Sequence, residues 1–215
     1  MKSKILLPAI FIAVFAFSRI PGLMPLNFSV AYAFAFCAGV FFPGQRGWWL
    51  PLAVILATDI GLNFYYQYQD PEHSVWDARN LANLAFNYAA YGVLIFLGRR
   101  FKPQASVLSL AGGGILGAIL FYFITNTAAW LFNPFHNPEY ARNFAGWLIA
   151  LTKGTAGYPS TWEFFRNTLL SGALFTALFG AVAKFTAESP ADKTAGAREP
   201  LKDEEAEAQP EEANA

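Results

Sequence analysis

The stretch Trp48-Trp49-Leu50-Pro51-Leu52-Ala53-Val54-Ile55-Leu56-Ala57-Thr58-Asp59-Ile60-Gly61-Leu62-Asn63-Phe64-Tyr65-Tyr66-Gln67 decides the fold. It carries no charge from Trp48 to Thr58. It is also long enough to cross a bilayer as a helix, which takes roughly 20 apolar residues. Asp59, Asn63 and Gln67 recur at i, i+4 and i+8, on one helical face near one end. Polar groups held in hydrocarbon are costly, so such a face points to a cavity or a partner rather than to lipid.

Composition extends this reading to the whole chain. Its 215 residues are 55% hydrophobic and 17% aromatic, and only 14% are charged. A soluble domain carries about 25% charged residues. Fifteen acids balance fifteen bases, but most of the acids lie beyond Ala187, so the net charge averages two unlike regions. The start, Met1-Lys2-Ser3-Lys4 before an apolar run, has the form of a signal peptide. Ser18-Arg19-Ile20-Pro21 is a poor cleavage site, which favours a retained first span. Cys37, the single cysteine, excludes an internal disulfide and reads as a small buried hydrophobe.

Counting spans gives six, about Lys4 to Arg19, Asn27 to Phe42, Trp48 to Tyr66, Asn80 to Leu97, Val107 to Phe132, and Trp162 to Ala183. The expected fold is all-α, an integral membrane bundle of six transmembrane helices. In the fifth loop, Asn133 to Thr161, the apolar stretch Tyr140 to Leu151 is too short to cross and reads as an interfacial or re-entrant helix. Residues 1–187 form this domain. Residues 188–215 read as a disordered acidic tail, too poor in large apolar side chains to offset the entropy of ordering. Ten of the fifteen lysines and arginines fall on one side, Arg46 and the Arg99-Arg100-Lys102 cluster among them. That side is expected to be cytoplasmic, with both termini there and the protein multi-pass in the inner membrane.

Threaded in this way, the polar residues gather in the outer half. Asn80, Asn83, Asn87 and Tyr91 begin the fourth span, while Tyr122, Asn126 and Trp130 stand at i, i+4 and i+8 near the end of the fifth. Trp162, Glu163, Arg166 and Asn167 open the sixth, Arg19 ends the first, and Asn27, Ser29 and Tyr32 begin the second. Interfacial anchoring would place such residues at both faces, so the asymmetry favours a pocket. Its expected ligand-binding residues are Asp59, Asn63, Asn83, Asn87, Tyr122, Asn126, Trp130, Arg166 and Asn167, with Asp59 and Arg166 as an ion pair in one cavity. Helix locking by these charges, with Glu163 as a competing partner, is the plainer alternative. Apolar walls with a few polar groups suit a small heterocyclic or amphipathic molecule.

Enzyme signatures are lacking. The chain has no His-Glu-x-x-His, Gly-x-Ser-x-Gly, Cys-x-x-Cys or phosphate loop. Gly112-Gly113-Gly114 has no strand before it and no lysine after it, which leaves close helix packing as its purpose. His73 and His136 sit in loops at no ligand spacing. No metal, cofactor, catalytic residue or nucleic-acid partner is expected, and the rival classes are a scaffold membrane protein and an intramembrane enzyme acting on lipid.

The runs Asn27-Phe28-Ser29-Val30-Ala31, Pro43-Gly44-Gln45-Arg46-Gly47-Trp48-Trp49-Leu50-Pro51-Leu52 and Ala57-Thr58-Asp59 carry a family likeness. So do Phe121-Tyr122-Phe123-Ile124-Thr125-Asn126 with Trp130, and Phe164-Phe165-Arg166-Asn167-Thr168-Leu169-Leu170-Ser171-Gly172. Together they resemble a family of uncharacterised bacterial membrane proteins, a domain of unknown function. That family is similar to the substrate-binding S-components of energy-coupling-factor (ECF) vitamin transporters. The resemblance implies a capture subunit with six helices, an outer pocket for a vitamin-like substrate, and a borrowed energising module of a coupling subunit and ATPases. It also implies that small residues on the first helix dock the coupling subunit, a part Ala9 and Ala13 fit.

Overall fold

The computed structural model describes residues 3–72 and 74–187, and their regular structure is all helix. The expected acidic tail and His73 lie outside the described residues. Seven helices follow in order: α1 (Ser3–Ser18), α2 (Ala31–Phe41), α3 (Arg46–Gln69), α4 (Ala78–Gly98), α5 (Val107–Phe132), α6 (Phe144–Thr152) and α7 (Thr161–Thr186). Local chemistry sets several of the starts. Asp77, Ser106, Asn143 and Ser160 each accept a backbone N–H of the first turn of α4, α5, α6 and α7, at 2.8, 3.1, 2.8 and 3.4 Å. Such caps satisfy donors that the helix itself leaves open.

Four helices, α3, α4, α5 and α7, are long and apolar enough to cross a membrane. The expected count of six is not supported. α1 has 16 residues and α2 only 11, or about 24 and 16 Å at 1.5 Å per residue. The second span was expected from Asn27, but Asn27 takes a left-handed φ of 56° and the helix begins at Ala31. Large apolar side chains cover the outside of the bundle, with Leu108 83% and Phe185 89% exposed among many others. A continuous apolar exterior of that kind suits lipid, not water.

α2 is the centre. Ten of its eleven residues are buried, and it packs against α1, α3, α4, α5 and α7. Phe15 stacks on Phe34 of α2 at 4.9 Å between ring centres, and Phe11 stacks on Phe179 of α7 at 4.1 Å. Glycine permits the tightest crossings. A methyl group on Gly39 of α2 would overlap the Ile95 carbonyl of α4, and one on Gly98 would overlap the Phe36 carbonyl. Gly114 of α5 and Gly172 of α7 face each other in the same manner, where an added Cβ on Gly114 would lie 2.7 Å from the Gly172 oxygen.

The short α6 runs back alongside the C-terminal half of α5. Trp130 Nε1 donates to the Ala141 oxygen at 2.8 Å, Trp147 Nε1 to Thr127 Oγ1 at 3.1 Å, and Tyr122 OH to the Leu151 oxygen. The three bonds fall in sequence down α5, so the segment dips and then returns through Gly154, which has a φ of 75°. Ala156 N–H donates to Glu139 Oε1 at 3.0 Å across the two arms of this excursion. That bond holds the Glu139 carboxyl below the usual carboxylate range.

The glycine triplet supplies an internal comparison. Gly112 has open space where a Cβ would go, whereas Gly114 meets Thr176 and Gly172. Gly114→Ala is expected to lower stability by about 1–3 kcal/mol through overpacking. Gly112→Ala is expected to leave it unchanged or raise it by about 0.4–1 kcal/mol. Unfolding of the two variants in detergent micelles checks the difference, and equal effects would rule out the α5–α7 contact.

Candidate functional site

Antiparallel packing brings the C-terminal parts of α1, α3 and α5 together with the N-terminal parts of α2, α4 and α7. A cavity of about 760 Å³ opens at that end. Its floor is aromatic, with Tyr32 of α2 and Tyr91 of α4 both against Phe121 of α5 at 4.7 and 5.0 Å. Asn83 and Asn87 rise from the floor on α4, Thr125, Asn126 and Ala129 on α5, and Leu62 and Tyr66 on α3. The α1–α2 connection from Arg19 to Ser29 forms the remaining side.

Two polar contacts fix that connection. Arg19 Nη2 donates to Asp59 Oδ1 in the sole ion pair among the described residues, and Tyr88 OH donates to Asp59 Oδ2 at 2.9 Å. The side chains of Arg19 and Asp59 are 24% and 13% exposed. At the other end, Asn167 Nδ2 of α7 donates to the Leu26 oxygen at 2.9 Å. Arg19 lines the cavity, with Asp59 and Tyr88 outside the lining. Arg19 Nε is buried and has no hydrogen-bond partner among the described residues.

The expected site residues divide into three groups. Asn83, Asn87 and Asn126 line the cavity together. Asp59 and Asn167 act at one remove, holding the segment that walls it. Asn63, Tyr122, Trp130 and Arg166 are not part of the lining. Tyr122 and Trp130 turn to the backbone around α6 instead. The cavity-facing residues on α3 are Leu62 and Tyr66, one residue from the expected Asn63 and Gln67. On α5 they are the expected Asn126 with Phe121, Thr125 and Ala129, each one residue before Tyr122, Asn126 and Trp130. One residue is about 100° of helix. Helix-end polar residues had loop backbone within reach, and Gln67 likewise accepts the Val75 N–H at 3.1 Å.

The pairing of Asp59 with Arg166 is corrected. Arg166 is exposed on α7, one residue from Asn167, and the cation beside Asp59 is Arg19. A long arginine near a helix end can carry its head to the interface, so Arg166 needs no carboxylate at depth. Arg19, Tyr88, Tyr66 and Thr125 were missing from the expected set. Arg19 had a signal in the sequence, since it ends the first span as Asp59 nears the end of the third, which places opposite charges at one level.

Among the described residues, no three His, Cys, Asp or Glu side chains gather as a metal site. The chain matches the family of unknown function DUF6580 over residues 1–192, and it belongs to that family. No curated protein and no solved structure matches it.

The ion pair makes a sharp expectation. Asp59→Asn strands the Arg19 charge in a part-buried site and is expected to lower stability by less than the roughly 3–5 kcal/mol that breaking a fully buried pair costs. Glu163→Gln, at the exposed start of α7, is expected to cost far less. Adding Arg19→Gln to Asp59→Asn recovers most of the lost stability, while adding Arg166→Gln recovers none. Thermal unfolding of the four variants reads both comparisons, and rescue by Arg166→Gln would reverse the assignment.

Proposed function

We propose that this protein is an integral membrane subunit that captures one small molecule in the cavity at its polar end, without enzymatic activity of its own. The observation that carries the reading is the polar lining of that cavity: two carboxamides on α4 with no bond among the described residues and one on α5 with its Oδ1 unused, over an aromatic floor in a largely apolar bundle. Membrane interiors hold such groups where a ligand or ion passes. A cavity of about 760 Å³ also falls within the usual range of roughly 300–1,000 Å³ for small-molecule sites.

In this reading the plan is that of an ECF-type S-component, supported by the sequence resemblance. α1 and α2 complete a set of six crossings despite their length. α2 tolerates being short because other helices surround it, so its ends need not meet lipid headgroups. The end bearing Arg46, Arg99, Arg100 and Lys102 faces the cytoplasm together with both termini, following the positive-inside preference. The cavity then opens outward, in the inner membrane of a bacterium, toward a vitamin-like substrate. Movement of that substrate falls to an ATP-driven partner, a coupling subunit with its ATPases.

A scaffold protein without a ligand is the main rival, and a lipid-acting enzyme the lesser one. Native mass spectrometry of the detergent-purified protein separates capture from scaffold. A reproducible, dissociable small-molecule adduct is expected, and a bare protein across independent preparations would favour the scaffold.

The outer face of α1 bears on the partner. Ala9 and Ala13 are exposed one turn apart, while Phe11 and Phe15 face the core. Small residues at this spacing let another helix approach closely. Ala9→Leu with Ala13→Leu is expected to spare insertion and ligand binding yet abolish cellular uptake. Uptake at the unaltered rate would show that lipid alone covers this face.

A further inference from the structure

We propose that the cavity selects an uncharged, flat molecule through an amide edge, an N–H beside a C=O, and that Asn83, Asn87 and Asn126 read that edge. The proposal rests on the capture reading and adds the chemical class of what is captured.

The hydrogen-bond inventory of the lining defines the class. Asn83 and Asn87 stand one turn apart on the cavity face of α4, and neither carboxamide bonds to any other group of the described protein. Each offers two N–H donors and a carbonyl acceptor. Asn126 differs, because its Nδ2 donates to the Tyr122 oxygen at 2.8 Å. The amide is thereby oriented, leaving Oδ1 as an acceptor and the second N–H as a donor. A ligand N–H suits Asn126 Oδ1 on α5, while α4 can meet either an N–H or a C=O. A lactam, carboxamide or ureide edge has both groups side by side.

Charge excludes the anionic alternatives. Arg19 is the one charged side chain in the lining. Its guanidinium is already matched by Asp59, whose second oxygen takes the Tyr88 hydroxyl. A ligand carboxylate would set two negative charges against one cation, with no other base in the lining to balance them. An unmatched charge in a confined, low-dielectric site is strongly unfavourable. The start of α2 offers little in exchange, since Ser29 Oγ already accepts the Ala31 N–H at 3.1 Å. A flat shape follows from the floor, where Tyr32, Tyr91 and Phe121 present ring faces and edges that suit offset stacking.

Ligand-detected NMR on the micelle-solubilised protein tests this with two matched pairs of probes. Benzamide and benzoate differ in charge at one group, and uracil and 1,3-dimethyluracil differ in the N–H donors. Benzamide and uracil are expected to bind, with benzoate and dimethyluracil at least tenfold weaker. Asn83→Leu with Asn87→Leu is expected to weaken both binders at least tenfold, and so is Asn126→Leu alone. Asn63→Leu, outside the lining, leaves them unchanged, which separates recognition from general damage. Benzoate binding as well as benzamide would overturn the proposal in favour of anion capture by Arg19. Dimethyluracil matching uracil would overturn the amide edge. If none of the four binds while native mass spectrometry still finds an adduct, the amide class falls and capture stands. If the adduct is missing too, both fall.

Discussion

The bundle depends on a helix too short to cross a membrane by itself. α2 has 11 residues, and ten are buried. Its sequence, Ala-Tyr-Ala-Phe-Ala-Phe-Cys-Ala-Gly-Val-Phe, alternates small side chains with rings all the way round, so no face is reserved for lipid. α4 closes on it through Gly39 and Gly98, backbone against backbone. The neighbours α3, α4 and α5 have 24, 21 and 26 residues. A central helix that stops short of its neighbours leaves a space above its first turn. That space is the cavity, and Tyr32, in the first turn of α2, is in its floor. From Phe121 to Ala129 the α5 wall rises about 12 Å, at 1.5 Å per residue.

Such a space must be walled by chain that has no helix ladder of its own. The Arg19–Ser29 segment does this, and its anchors are polar because apolar ones would compete with lipid. Arg19 to Asp59 ties one end to α3, with Tyr88 adding α4, and Asn167 to the Leu26 carbonyl ties the other end to α7. The same charges that define the segment's position therefore determine the electrostatics of the cavity. An arginine whose counter-ion stands behind the lining presents hydrogen-bond donors with little net charge.

Much of this was legible in the sequence, and the gaps have physical causes. The gathering of polar residues at one end could be read because helices alternate in direction and the side-chain period is fixed. Asn83, Asn87 and Tyr91 were placed on the correct face of α4 for the same reason. The α3 face was read one residue off, and on α5 only Asn126 of the expected three lines the cavity, since a polar residue at a helix end satisfies itself equally well on loop backbone as in a pocket. Tyr122 with Leu151 and Gln67 with Val75 are instances. Periodicity carries no information about such partners. The charge pairing failed for a related reason. Depth ranks Arg19 and Arg166 alike, and only the course of the chain after α1 brings the first of them to Asp59. The six-span count took each apolar run as one crossing helix, but the left-handed turn at Asn27 delays the second helix to Ala31 and leaves it 11 residues long.

Glycine usage ties these levels together. Gly112 and Gly114 are two residues apart in one triplet, yet one faces open space and the other faces Gly172 and Thr176. The close α5–α7 crossing that Gly114 permits lies toward the basic end of the bundle, away from the lining of the polar-end cavity. At the polar end the same two helices are bridged by aromatic rings instead, with Tyr122 against Phe165 at 4.4 Å. Small residues draw the helices together at one end, and rings hold them apart at the other. The α5–α7 pair is thus closest near Gly114 and Gly172, and aromatic at the end where α2 begins. The cavity is then a consequence of where the sequence places its smallest and its flattest side chains.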